Sequence, residues 1–108
     1  MRNFIKGYNE LEKKLGYEPN FHDDKIQRIT LDENRLEFTL KTVDNVVYNL
    51  IFEDIEDINL HGEILGIVGI ILDVGIKEVD GKLKTTIMSS LGVDGKIISK
   101  RIAVKINN

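Results

Sequence analysis

The sequence contains no cysteine, which excludes a disulfide framework, a thiolate metal site and a cysteine nucleophile together and suits a reducing compartment. Proline occurs once, at Pro19, and histidine twice, at His22 and His61. Imidazole chemistry is confined to those two positions. There is no Gly-x-Ser-x-Gly elbow and no glycine-rich loop between a strand and a helix, so the common hydrolase and nucleotide-binding signatures are missing. Long apolar runs are missing too. The most apolar, Ile64 to Leu72, is nine residues broken by Gly66 and Gly69, against about 20 for a membrane-spanning helix. Met1 to Leu15 mixes charged and apolar side chains and lacks the apolar core of a signal peptide. The expectation is a cytoplasmic protein with no membrane segment.

An excess of basic charge is also absent. Lys and Arg number 15 against 18 Asp and Glu, for a net charge of −3, so non-specific attraction to nucleic acid has no electrostatic source and a basic partner suits the chain better. What is present is globular composition: 108 residues, 42% hydrophobic and 31% charged. That length accommodates one core without staples, and a single domain over residues 1–108 is expected.

Phe4, Tyr8, Leu11 and Leu15 recur at helical spacing, with Glu10, Lys13 and Lys14 on the opposite side. This pattern predicts a short helix over about residues 3–15, with Asn3 as N-cap, Gly7 inside it and Gly16 just past its end. Tyr17 to Asp24 reads as a connector, because Pro19 biases Glu18 away from helix.

From Lys25 onward the period becomes 2. Leu31 opposite Leu36 and Ile29 opposite Phe38 make a hairpin with Glu33-Asn34 at its tip. A three-residue loop, Val43-Asp44-Asn45, sets Leu40 opposite Tyr48, Phe38 opposite Leu50 and Leu36 opposite Phe52, with Asn45 left-handed. In the second half Asp80-Gly81 predicts a two-residue turn pairing Ile76 with Thr85, Val74 with Ile87 and Leu72 with Ser89. Asp94-Gly95 predicts another, pairing Leu91 with Ile98, Ile87 with Ile102, Thr85 with Val104 and Leu83 with Ile106, and leaving Ser89 opposite Lys100. Glu53 to Ile67 reads as a link, with a possible short strand through Ile58 and Leu60 and a helical turn from Gly62. The expected fold class is α+β, mainly antiparallel β. A short N-terminal helix precedes two three-stranded antiparallel meanders, with strands near 25–32, 35–42, 46–53, 67–79, 82–91 and 96–106, forming one curved sheet or a two-layer sandwich.

Two clusters of polar residues stand out. His22-Asp23-Asp24 could supply ligands to a divalent metal, or a general base and its orienting carboxylate. Its structural alternative is a loop anchored by Phe21, with His22 and Asp23 bonded to backbone groups. Glu53, Asp54, Glu56, Asp57 and Glu63 form an acidic cluster, either a solvated loop or an anionic patch that steers a basic partner.

Gly16-Tyr17-Glu18-Pro19-Asn20-Phe21-His22-Asp23 and the strand after it resemble the bacterial immunity protein 50 group and related small families, in which a short helix leads into a Pro-Ser-Phe-His-Asp connector and a strand. Pro19, Phe21, His22 and Asp23 match that pattern, Asn20 stands in the serine position, and Glu18 stands where an aromatic residue is common. Ser90-Leu91-Gly92-Val93-Asp94-Gly95 with Ile98 and Ile102-Ala103-Val104 resembles the closing hairpin of the same group. The resemblance implies a bacterial cytoplasmic protein without enzymatic activity or cofactor that binds and neutralises a cognate toxin domain. Three functional expectations follow: an immunity protein contacting a basic toxin through the acidic cluster, a metal-dependent hydrolase or small-molecule binder using His22, Asp23 and Asp24, or a scaffold that self-associates through an open strand edge.

Overall fold

Alternating side chains from Lys25 onward do produce strands, but the strands close on themselves. The computed structural model describes residues 4–62, 69–91 and 93–107. The elements are β1 (Ile5–Lys6), α1 (Tyr8–Leu15), β2 (Lys25–Asp32), β3 (Arg35–Lys41), β4 (Val47–Gly62), β5 (Gly69–Val79), β6 (Lys82–Leu91) and β7 (Val93–Ile106). Hydrogen bonding runs β7-β4-β3-β2-β5-β6 and returns from β6 to β7, making a closed six-stranded barrel, with β1 added in parallel to β7. This overturns the expectation of two meanders in a curved sheet or a sandwich. Closure removes most of the sheet edges that two meanders would expose.

The first half pairs as expected. Leu31 faces Leu36 and Ile29 faces Phe38; Leu36, Phe38 and Leu40 face Phe52, Leu50 and Tyr48. Asn45 is left-handed at φ 67, and the Thr42 N–H donates to the Val46 carbonyl across the loop at 2.9 Å. Phe38 and Phe52 pack edge to face, centroids 5.9 Å apart, an arrangement that suits the aromatic quadrupole.

The difference begins at Glu53. The expected link is the second half of β4, a 16-residue strand paired with β7 along its whole length, from Tyr48 opposite Ile106 to Gly62 opposite Val93. The strand bends at Asp54, whose φ is 54, and the ladder slips between Ile55 and Asp57. Bulges of this kind let a long strand wrap a small barrel. The inward series Tyr48, Leu50, Phe52 consequently resumes at Ile55, Ile58 and Leu60 instead of at Asp54. Residues 63–68, including the expected helical turn and the start of the fourth strand, lie outside the described residues, as does Glu63.

The Asp80-Gly81 turn is present, with φ 52 and 77, and Ile76 and Val74 meet Thr85 and Ile87. Slips between Ile70 and Asp73 bring Ser89 opposite Ile71 instead of Leu72. The Asp94-Gly95 turn is not present. Gly95 instead lies inside β7, opposite Ile87 on β6 and Leu60 on β4. Thr85 therefore meets Ile97 and Leu83 meets Ser99, while Ile102, Val104 and Ile106 face Phe52, Leu50 and Tyr48 on β4. Ser89 does not face Lys100; its hydroxyl donates to the Val93 carbonyl at 2.7 Å, and its N–H donates to Asp94 Oδ1 at 2.6 Å.

The helix is shorter than its apolar spacing suggests. It begins at Tyr8, with Gly7 as N-cap at φ 86. A side chain on Gly7 would sit 2.3 Å from the Val104 carbonyl oxygen, so glycine is what lets the helix start against β7. Asn3, the expected cap, lies outside the described residues, and Phe4 is 38% exposed ahead of the helix. Tyr8 and Leu11 are buried, and Gly16 closes the C-terminus, its N–H donating to the Glu12 carbonyl at 2.8 Å. Among the described residues no helix is long and apolar enough to cross a membrane.

Candidate functional site

The barrel closes where β2 meets β5; among the described residues the join pairs Lys25 with Ile70 and Ile26 with Gly69. The connector lengthens it. The Asp23 N–H donates to the Ile71 carbonyl at 2.8 Å, and the Ile71 N–H donates to the Asp24 carbonyl at 2.9 Å. Pro19, Asn20, Phe21 and Asp23 of the resembling segment take part in holding this connector. The Pro19 carbonyl accepts from the Tyr8 hydroxyl at 2.8 Å. Asn20 Oδ1 accepts from the His22 N–H at 3.0 Å. Phe21, left-handed at φ 64, buries its ring 6.3 Å from that of Tyr48. The short polar side chain of Asp23 tolerates the φ of 67 that turns the chain toward β5.

His22 and Asp23 themselves point to water. Their side chains approach to 3.6 Å and are both more than half exposed. Asp24 turns the other way: it is buried, and its carboxylate accepts a short hydrogen bond from the Tyr48 hydroxyl. Burial pushes the Asp24 carboxyl above its usual range, and Asp23 adds to the rise, while the Tyr48 hydrogen bond and His22 oppose it. Burial likewise raises the Tyr48 phenol, reinforced by the Asp24 charge. The three polar residues of the cluster thus diverge. Among the described residues no three His, Asp or Glu side chains come together as a metal would need; His61 sits on β4 opposite Asp94.

The acidic cluster occupies the bend of β4. Glu53 is flanked in the sheet by Arg35 on β3 and Arg101 on β7. Asp54 forms an ion pair with Arg101 at 2.8 Å, and Glu56 forms one with Lys82 at 2.7 Å. Asp57 lies opposite Ile98. Two of the carboxylates, Glu56 and Asp57, line a cleft of about 440 Å³ together with Asp80, Lys82, Lys84, Ile98 and Val79. A second depression next to it is lined by Asn34, Asp54 and Lys100. The stretch is therefore a surface of interleaved signs. That was invisible in the local sequence, because the cations arrive from β3, β6 and β7.

Exposed pairs of this kind contribute little to stability. Arg101→Ala is expected to lower the free energy of unfolding in urea by less than about 1 kcal/mol; a larger loss would show that the Arg101 stem, and not its charge, carries the contact.

No protein-family model matches the chain, and a search of curated proteins finds no match.

Proposed function

We propose that this chain is a non-catalytic binding protein of the immunity type, which neutralises a toxin domain by covering it. The observation that carries the reading is the cleft at the β4 bend. It is open and lined by Ile98, Val79 and both signs of charge, which suits a protein surface better than a small molecule. The resembling segment supports the same reading from another direction, since Phe21 and Asp23, two of the residues that match the family pattern, hold the connector in place here.

The partner expected from the sequence was a basic one. Lys82, Lys84 and Lys100 beside Glu56 and Asp57 favour a partner presenting both signs, docked in one orientation by charge register. The test is co-expression with a toxin domain encoded beside this gene. Cells should survive with the wild-type chain, and the charge reversals Asp57→Lys and Lys84→Glu should each weaken the complex at least tenfold in titration calorimetry. Failure of the wild-type chain to rescue growth, with the toxin domain active, overturns the proposal.

A further inference from the structure

The net charge of −3 conceals two parts of opposite sign. Residues 1–68 carry eight Lys and Arg against fourteen Asp and Glu, whereas residues 69–108 carry seven against four. The second part supplies β5, β6 and β7, which are neighbours in the barrel wall. Val74, Leu83, Thr85, Ile97 and Ser99 are buried and mark the inner face, so alternation turns Lys77, Lys82, Lys84, Lys96 and Lys100 outward together. Lys84 stands at the centre. It lies directly opposite Lys77 on β5 and opposite Ile98 on β7. Lys96 and Lys100, two residues either side of Ile98, are its diagonal neighbours, and Lys82 is two residues away on its own strand. Such cross-strand separations run from about 5 to 8 Å, inside the screening length at physiological salt. Like charges directly opposite one another in a sheet are destabilising. Lys82 is neutralised by Glu56 at 2.7 Å, but among the described residues Lys77, Lys84, Lys96 and Lys100 form no ion pair. Lys77, Lys96 and Lys100 are exposed.

We propose that the outer face of β5, β6 and β7 binds an acidic segment of a protein partner, whose carboxylates balance the lysines around Lys84. This rests on the binding-protein reading above and names the chemistry that meets the Lys84 side of the cleft. The patch is small. Its three strands span about 10 Å, and carboxylates bound it: Asp57 lies opposite Ile98 on β4, and Asp94 stands two residues before Lys96 on β7. A nucleic acid duplex or an anionic membrane carries one sign of charge over a wider surface and would meet Asp57 and Asp94 as well as the lysines. A short acidic stretch with other residues on either side fits inside the frame. Charge complementarity of this kind sets orientation and encounter rate.

Titration of a hexaglutamate peptide into isotope-labelled protein at low salt, followed by amide chemical shifts, tests this without a toxin. The shifts should saturate, should be confined to β5, β6, β7 and the adjoining bend of β4, and binding should weaken about tenfold or more at physiological salt. Lys77→Glu is the decisive variant. It should weaken peptide binding about fivefold or more. Because it sets a glutamate opposite Lys84, it should also raise the urea midpoint above wild type, a result that a misfolded variant could not give. Absence of saturable shifts, shifts centred elsewhere, or a Lys77→Glu protein that binds as wild type overturns the proposal. So does tighter binding of a hexathymidylate oligonucleotide, or of vesicles containing phosphatidylserine, than of the peptide. Failed rescue in the co-expression test with peptide binding intact rejects the toxin and not the patch; rescue without peptide binding rejects the patch alone.

Discussion

Replacing Gly95 with alanine should lower stability by about 3 kcal/mol or more and should leave little folded protein at 37 °C. The backbone at Gly95 has φ 151, and an added Cβ would sit 2.0 Å from the Asn59 carbonyl oxygen, with Leu60 Cα and the Asn59 carbonyl carbon both within 3 Å. All three obstacles are backbone atoms of β4, so no side chain can rotate away. Gly95 also pairs with Ile87 on β6. Moving β7 outward to relieve the clash would pull on both ladders at the point where the barrel is held together from both sides. Gly75 is the control. It lies in β5 with no atom within 4 Å of an added Cβ, and Gly75→Ala should fall within about 1 kcal/mol of wild type. Urea unfolding of the two variants reads the difference, and a Gly95→Ala protein as stable as Gly75→Ala would mean that β4 and β7 are not in contact there.

Gly95 also shows why the sequence misled where it did. Asp-Gly between alternating segments is a strong hairpin signal, and the register it implies aligns four inward pairs, three of them apolar on both sides and the fourth Thr85 with Val104. The match was fortuitous. Inward residues on β7 run Val93, Ile97, Ser99 and then Ile102, Val104, with a change of parity at Lys100-Arg101, so the apolar half belonging to β4 was paired with β6 on paper. β2, β3 and the first part of β4 were legible because each hairpin is local and its inner face is uninterrupted. The barrel was not, because both of its closing joins are distant in sequence: β4 with β7, and β2 with β5. A strand whose alternation breaks at Asp54 also looks like a strand that ends.

The candidate site shows the same division. Phe21 as an anchor could be read from one dimension, and so could a structural role for the connector. The partner of Asp24 could not, since Tyr48 is 24 residues away and reaches it from across β3, where Leu40 faces both Ile26 and Tyr48. Nor could the cations that pair the β4 carboxylates. A run such as Glu53-Asp54-Ile55-Glu56-Asp57 states its own charge but not that of its neighbours across a sheet, and here the neighbours offset much of it. The property left for recognition is a pattern of signs around Ile98, which favours orientation over bulk attraction.

Removing the Tyr48 hydroxyl should expose how much the β2–β5 seam depends on Asp24. In Tyr48→Phe the buried carboxylate loses its hydrogen bond and cannot reach water in exchange, a loss expected at about 2–4 kcal/mol near neutral pH. The sign of the pH dependence follows from burial. The Asp24 carboxyl holds its proton more tightly in the folded chain than in the unfolded one. Its contribution to stability is therefore fully present below the ordinary carboxylate range and is lost as pH rises through the raised folded value. Asp24→Asn removes that slope while its amide oxygen can still accept from Tyr48, so it should be more stable than wild type at pH 7 and should converge with it in acid. Tyr48→Phe should do the reverse, with a deficit largest at pH 7 and shrinking as Asp24 takes up a proton. In the Asp24→Asn background the tyrosine substitution should cost markedly less, because no charge is left stranded. Urea unfolding of the four proteins between pH 3.5 and 7 completes the cycle; an Asp24→Asn protein that parallels wild type at every pH would place the carboxylate in water and remove it from the seam.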